Sequence, residues 1–227
     1  MESHAVGTRE DAVVSDHPLA GLSLRRPGGR SLALLGLFVL ITVSVELGWW
    51  SRLDQSLSDW AVSRRGTTLW NAAKVVFDVA TPESALPITL ALGALVAWRR
   101  HSWGIIGEAA IRVGLVVASV LLLKPLLAVP GPTRNALGDH GGSFPSGHTT
   151  STVVCMALLL VWVGWPRSVT GRVAVNAAVV AIVGASVVYI HYHYFSDVVG
   201  GVVLGLLIAT LPLPVFRPAS RRRADVE

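Results

Sequence analysis

The 227-residue sequence is short of charge. Only 15% of its residues are Asp, Glu, Lys or Arg, against roughly 25% in a soluble domain. With 52% apolar residues and a mean hydropathy of +0.58, the chain can neither cover a water-facing globule nor remain disordered. Cysteine is nearly absent. Cys155 stands alone in an apolar stretch, which excludes a disulfide framework and a thiolate zinc site and leaves a small packing side chain. Lysine occurs only at Lys74 and Lys124. The sequence shows no soluble domain, long linker or short tandem repeat. The net charge of +5 would suit a nucleic-acid partner if it formed a patch with aromatics. Instead the basic residues cluster beside apolar runs, at Arg25 and Arg26, at Arg99 and Arg100, and at Arg221, Arg222 and Arg223. That placement flanks membrane spans and excludes a nucleic-acid partner.

What is present is a series of long apolar runs. A helix needs ~20 apolar residues to cross the hydrocarbon core. Runs at 31–50, 103–129, 149–165, 173–191 and 198–216 meet or approach that length. A further run, 69–98, is broken by Asp78, Pro82 and Pro87; its first half reads as interfacial or re-entrant and its second half completes the crossing. The fold class expected is therefore all-α, a polytopic membrane bundle of about six transmembrane helices. No small-residue cleavage pattern follows the first run, which reads as a retained anchor. Residues 1–28 are expected to form a disordered cytoplasmic N-terminus, 29–217 one membrane domain, and 218–227 a basic cytoplasmic tail.

Charge bias gives a direction. With the N-terminus inside, twelve of the 19 Lys and Arg residues fall on the inner side and six outside, Arg112 lying within a span. The outer loops then comprise 52–68, 130–145 and the turn around His193. Tryptophans 49, 50, 98, 103 and 165 stand at span ends, as interfacial anchors do. Glu108 and Arg112, four apart, read as a neutralised pair packed inside the bundle. Arg112 precedes Lys124 by ~18 Å of helix, too far to serve the outer face.

Three groups of unusual residues converge on that outer face: Lys124 with the Pro130–Gly131–Pro132 segment and Arg134; Phe144-Pro145-Ser146-Gly147-His148; and His191-Tyr192-His193-Tyr194-Phe195-Ser196-Asp197. Ionisable groups at membrane depth are costly and point to function. His193 and Asp197 are four apart, so on a helical turn the carboxylate can hold one ring nitrogen and leave the other basic. His148 opens a helix, where the backbone N–H groups around Ser146 and Gly147 can meet an anion. Lys124 supplies positive charge for a phosphoryl group. Together these residue types describe phosphoryl transfer without a metal. A metal site built on the three histidines is the rival, opposed by the scarcity of carboxylates in the loop and of His-x-x-x-His or Cys-rich spacing.

These residues resemble the type 2 phosphatidic acid phosphatase superfamily, whose motifs run K-x6-R-P, P-S-G-H and S-R-x5-H-x3-D. Lys124 and Pro132 fit the first motif, 145–148 match the second in full, and Ser186, His193 and Asp197 fit the third. The resemblance implies an integral-membrane lipid phosphatase that needs no cofactor and acts on a membrane lipid phosphate or polyprenyl pyrophosphate at the extracytoplasmic face of the cell membrane. It implies that His193 attacks phosphorus to give a phosphohistidine, that Asp197 orients it, and that His148 protonates the leaving group. Lys124, Ser146 and Gly147 would bind the phosphate. The two motif arginines are replaced, by Gly131 and Val187. Arg134, on the Pro/Gly loop, and His191, one helical turn after Val187, are the expected substitutes, and His140 a weaker one. The His193-Tyr194-Phe195-Ser196-Asp197 stretch also resembles sphingomyelin-synthase-like lipid phosphotransferases, which pass the headgroup to a lipid alcohol. A third alternative is a degenerate, non-enzymatic scaffold or transporter.

Overall fold

The computed structural model describes residues 28–132 and 141–213. All regular structure among them is helical: α1 (Gly29–Glu46), α2 (Ser51–Val62), α3 (Thr68–Val79), α4 (Pro82–Arg99), α5 (Gly104–Leu127), α6 (Gly147–Val163), α7 (Val169–Tyr189) and α8 (Phe195–Thr210). The expectation of an all-α membrane bundle is thus met. Arg134 and His140, and the terminal segments 1–27 and 214–227, lie outside the described residues.

Three helices, α1, α5 and α7, are long and apolar enough to cross a membrane. α3 and α4 together have the length and apolarity of a fourth, bent by 48° at the residues before Pro82, a geometry shared by a broken span and a re-entrant pair, and the position where the sequence places the interruption. α6 and α8 are equally apolar but have only 17 and 16 residues, about 25 Å of helix against a hydrocarbon core of about 30 Å. The six expected spans therefore correspond to these six units, three or four of which satisfy length by themselves.

Segment 52–68, which the charge bias assigns to the outer side, is largely helical: Ser51–Val62 is a 12-residue helix. Asp54, Leu57, Ser58 and Ala61 share its least exposed face, the spacing of an amphipathic helix. The polar majority faces outward and hides the pattern in a hydropathy reading.

α6 lies at the centre. It packs most extensively against α8 and α7, while α8 also covers α1, and α4 joins α5 to α6. Small residues set the closeness of the α6–α8 pair. A Cβ at Gly201 would stand 2.7 Å from the Ser146 carbonyl, and one at Gly205 would stand 2.7 Å from Val153 Cβ. This is the small-residue seam by which membrane helices approach when no hydrophobic force drives them together. The far end of α8 is closed by Arg112, which pairs with Glu108 at 2.8 Å and donates to the carbonyls of Ile208 and Leu211. The ion pair expected from the sequence is formed, with Arg112 buried, but Glu108 lies at the bundle's exposed surface rather than packed inside it.

The local starts and stops follow side-chain chemistry. Thr67, Ser146 and Ser168 each accept a backbone N–H at the start of α3, α6 and α7, and Pro82 occupies the first turn of α4. Because the helices run alternately, the C-terminal end of α5 and the N-terminal ends of α6 and α8 meet at one end of the bundle.

Candidate active site

Lys124, in the last turn of α5, is buried at 7% exposure. A cavity of about 420 Å³ opens beside it, with Gly147, His148, Tyr192 and His193 forming its polar end. Leu86, Leu90, Val113, Val116 and Val120 from α4 and α5 continue the wall away from that end. Along α5 the lining runs from Val113 to Lys124, about 16 Å of helix. The cavity is therefore polar at one end and apolar along its length.

His193 lies in the turn between α7 and α8 and is 3% exposed. Its Nδ1 is 3.2 Å from Asp197 Oδ2 and 3.0 Å from Ser143 Oγ. Ser143 Oγ in turn donates to Asp197 Oδ2. The same carboxylate oxygen accepts the Tyr194 backbone N–H at 2.9 Å, as the third helical residue of a capping box. A carboxylate only accepts, so the ring proton of His193 sits on Nδ1 and the lone pair on Nε2. His193 Nε2 is buried and meets no hydrogen-bond partner among the described residues. Burial pushes the imidazole below the usual histidine value of 6.5 and the Lys124 charge acts in the same direction, while the Asp197 hydrogen bond and charge oppose them. Burial thus favours the neutral ring, and His193 lines the cavity.

His148, the second residue of α6, faces it, with ring centroids 6.1 Å apart. Its imidazole stacks on Phe77 at 4.5 Å and meets the edge of Tyr192 at 5.7 Å. These rings fix its plane, and its Nε2 is also buried without a partner among the described residues. The backbone N–H groups of Gly147 and His148 start α6, where the helix leaves such donors unpaired and the dipole favours an anion. Gly147 lines the cavity, and its position 3.3 Å (as a Cβ) from Val120 Cγ2 leaves little space for a side chain.

The structure therefore brings Lys124, Gly147, His148 and His193 to one cavity, with Asp197 directly behind His193. It does not bring Ser146 or His191 there. Ser146 Oγ accepts from Thr149 N and Thr149 Oγ1, capping α6, and the residue is fully buried behind the cavity wall. His191, with φ +62°, directs Nδ1 to Ser58 Oγ at 2.9 Å. Ser186 bonds back to Ile182 O within α7, and Val187 is buried, its carbonyl accepting Tyr192 N and His193 N. Arg134 is outside the described residues.

Sequence reasoning missed Ser143, Phe77 and Asp54, and named Tyr192 only as part of the 191–197 group. Ser143 lies three residues before Ser146 in a Gly-Gly-Ser run, the one signal that could have marked it. Phe77 lines the cavity and Asp54 bonds Ser196 beside it, both from segments that carry no motif. Among the described residues, no group of three or more His, Cys, Asp or Glu side chains is placed to share a metal ion.

These features define a helical membrane protein whose cavity presents a His–Asp pair, a second histidine and a buried lysine. The family model of the PAP2 superfamily matches residues 67–221, and the chain belongs to that superfamily. It is similar to phosphatidylglycerophosphatase B of Bacillus subtilis (strain 168), 24% identical over an alignment of 189 positions that covers 79% of this chain and 91% of that protein. Its fold is also similar to the crystal structure of the transmembrane PAP2-type phosphatidylglycerolphosphate phosphatase from Bacillus subtilis, with a TM-score of 0.66 at 24% identity, over 79% of this chain and 92% of the other.

Proposed function

We propose that the protein is a membrane lipid phosphatase that cleaves a lipid phosphomonoester or polyprenyl pyrophosphate through a phosphohistidine on His193. The observation that carries this reading is the pair of unpartnered ring nitrogens, His193 Nε2 and His148 Nε2, on residues at the polar end of one largely apolar cavity.

In the first step His193 Nε2 attacks phosphorus in line. The bond from phosphorus to the lipid oxygen breaks, and that oxygen takes a proton from His148. The Nδ1 proton of His193 remains against Asp197, which stabilises the positive ring as the P–N bond forms. Lys124 and the N–H groups that open α6 hold the phosphoryl oxygens as negative charge shifts onto them. In the second step His148 accepts a proton from water, and the oxygen attacks phosphorus. The P–N bond breaks, inorganic phosphate leaves, and His193 regains its lone pair. No step in this scheme requires a metal. The apolar wall formed by α4 and α5 accommodates the lipid chain.

The excess of basic residues at the opposite end of the bundle supports an extracytoplasmic site, with both termini cytoplasmic. Residues 1–28 and 218–227 then flank a single membrane domain on its cytoplasmic side.

The test uses full-length protein purified in detergent, with chelator present. It should release inorganic phosphate from phosphatidylglycerophosphate or from a polyprenyl pyrophosphate. A new phospholipid formed only when a lipid alcohol is added would identify a phosphotransferase instead. Absence of both activities would defeat the enzymatic reading. Labelling of single-cysteine variants in the 190–194 turn on intact cells should place that turn outside; protection there would reverse the orientation.

A further inference from the structure

α2 lies outside the family-matched residues 67–221 and contributes nothing to the cavity wall, yet it is bonded to both sides of His193. Asp54 Oδ1 accepts the Ser196 backbone N–H at 3.0 Å and Asp54 Oδ2 accepts the Ser196 hydroxyl at 2.7 Å. Asp54 is 7% exposed and Ser196 2%. One helical turn further along α2, Ser58 Oγ meets His191 Nδ1 at 2.9 Å. Aromatic contacts flank the two polar ones: Trp50 packs on Phe195 at 6.1 Å and Trp60 on Tyr189 at 5.2 Å. Read along α2, residues 50, 54, 58 and 60 meet 195, 196, 191 and 189. The helix runs antiparallel to the segment that carries His193 and Asp197 and touches it at four points.

The polar contacts are where the segment most needs fixing. Ser196 is the second residue of α8, and its N–H has no partner within the helix. Asp197, the third residue, satisfies the Tyr194 N–H, so Asp54 and Asp197 divide the start of α8 between them. His191 is in the left-handed region at φ +62°, an unfavourable setting for a residue with a Cβ that must be held by neighbours. Ser58 supplies such a hold two residues before the nucleophile.

We propose that Asp54, supported by Ser58, is a positioning residue for the reaction: α2 clamps the 191–196 segment so that His193 Nε2 keeps its line of attack. The inference rests on the phosphatase reading above. The clamp predicts an effect on turnover rather than on substrate binding, because α2 is absent from the cavity wall. Asp54→Ala should lower kcat about tenfold or more, since small displacements of a reacting group cost rate steeply, with KM within about twofold of wild type under the same principle. Asp54→Asn keeps one oxygen for the Ser196 N–H and should recover most of that loss. Ser58→Ala should lower kcat by a smaller factor.

The experiment compares steady-state kinetics of the full-length wild type with Asp54→Ala, Asp54→Asn and Ser58→Ala in detergent, alongside their thermal unfolding. Should Asp54→Ala not fold, Ser196→Ala removes only the hydroxyl contact and is read in its place, with a fall in kcat at constant KM expected. The clamp is overturned if these variants keep wild-type kcat, or if their loss appears in KM or melting temperature alone. A wild type without phosphate release would refute the phosphatase reading, an outcome separate from active variants that refute the clamp.

Discussion

His193 Nδ1 lies 3.2 Å from Asp197 Oδ2, and this contact decides which ring nitrogen carries the proton. Ser143 closes a triangle with the two, donating to the carboxylate while standing 3.0 Å from the same Nδ1. All three are buried, so the geometry is not averaged by water.

Ser143 is therefore expected to matter although it never touches the cavity. Ser143→Ala removes a donor to the buried Asp197 and should lower kcat by about tenfold, the range for one hydrogen bond to a charged group. Steady-state kinetics checks this, and an unchanged kcat would show that Asp197 alone orients the ring.

The acid dependence follows from the neutral state of His193. The attacking ring must be unprotonated, and burial holds its pKa below the ordinary 6.5. The acid limb should appear only as pH drops through that lowered value, and an alkaline limb should follow the loss of the proton that His148 delivers. Asp197→Asn removes the charge that raises that pKa, so its acid limb should move to still lower pH while the plateau falls. A pH profile of kcat/KM measures both; an acid limb above 6.5 would contradict the neutral-ring account.

Leaving-group chemistry separates the two histidines. His148→Ala should slow hydrolysis of an alkyl phosphate by about 10²- to 10⁴-fold, the range for a general acid. The same variant should lose much less with a nitrophenyl phosphate, whose leaving group needs no proton. Equal losses on the two substrates would remove His148 from the acid role.

The central packing yields a stability prediction. A Cβ at Gly200 would lie 2.3 Å from Phe144 Cε2, and Phe144 is fully buried. Gly200→Ala should destabilise the bundle by about 1–3 kcal/mol through overpacking. Thermal unfolding in detergent checks it, with wild-type stability as the contrary result.

The sequence disclosed the helical membrane architecture, because long apolar runs and charged flanks are local signals. Lys124, His148, His193 and Asp197 were legible for the same reason: each sits at a helix end, at a spacing that one helical turn makes meaningful. Asp54 was not, since its partner Ser196 is 142 residues away and nothing within 51–62 marks one carboxylate among several polar side chains. Ser146 and His191 show the opposite difficulty. Their residue types suit a phosphate, but Ser146 Oγ is occupied in capping α6 and His191 is turned to Ser58. Which of two available partners a polar side chain takes is decided by tertiary packing.

Rapid-quench analysis with a lipid phosphate labelled at phosphorus tests the central claim most directly. Wild-type protein should accumulate an acid-labile, alkali-stable phosphoenzyme that peptide mapping places on His193, and His193→Ala should form none and release no phosphate. Phosphate release undiminished in His193→Ala would contradict the account.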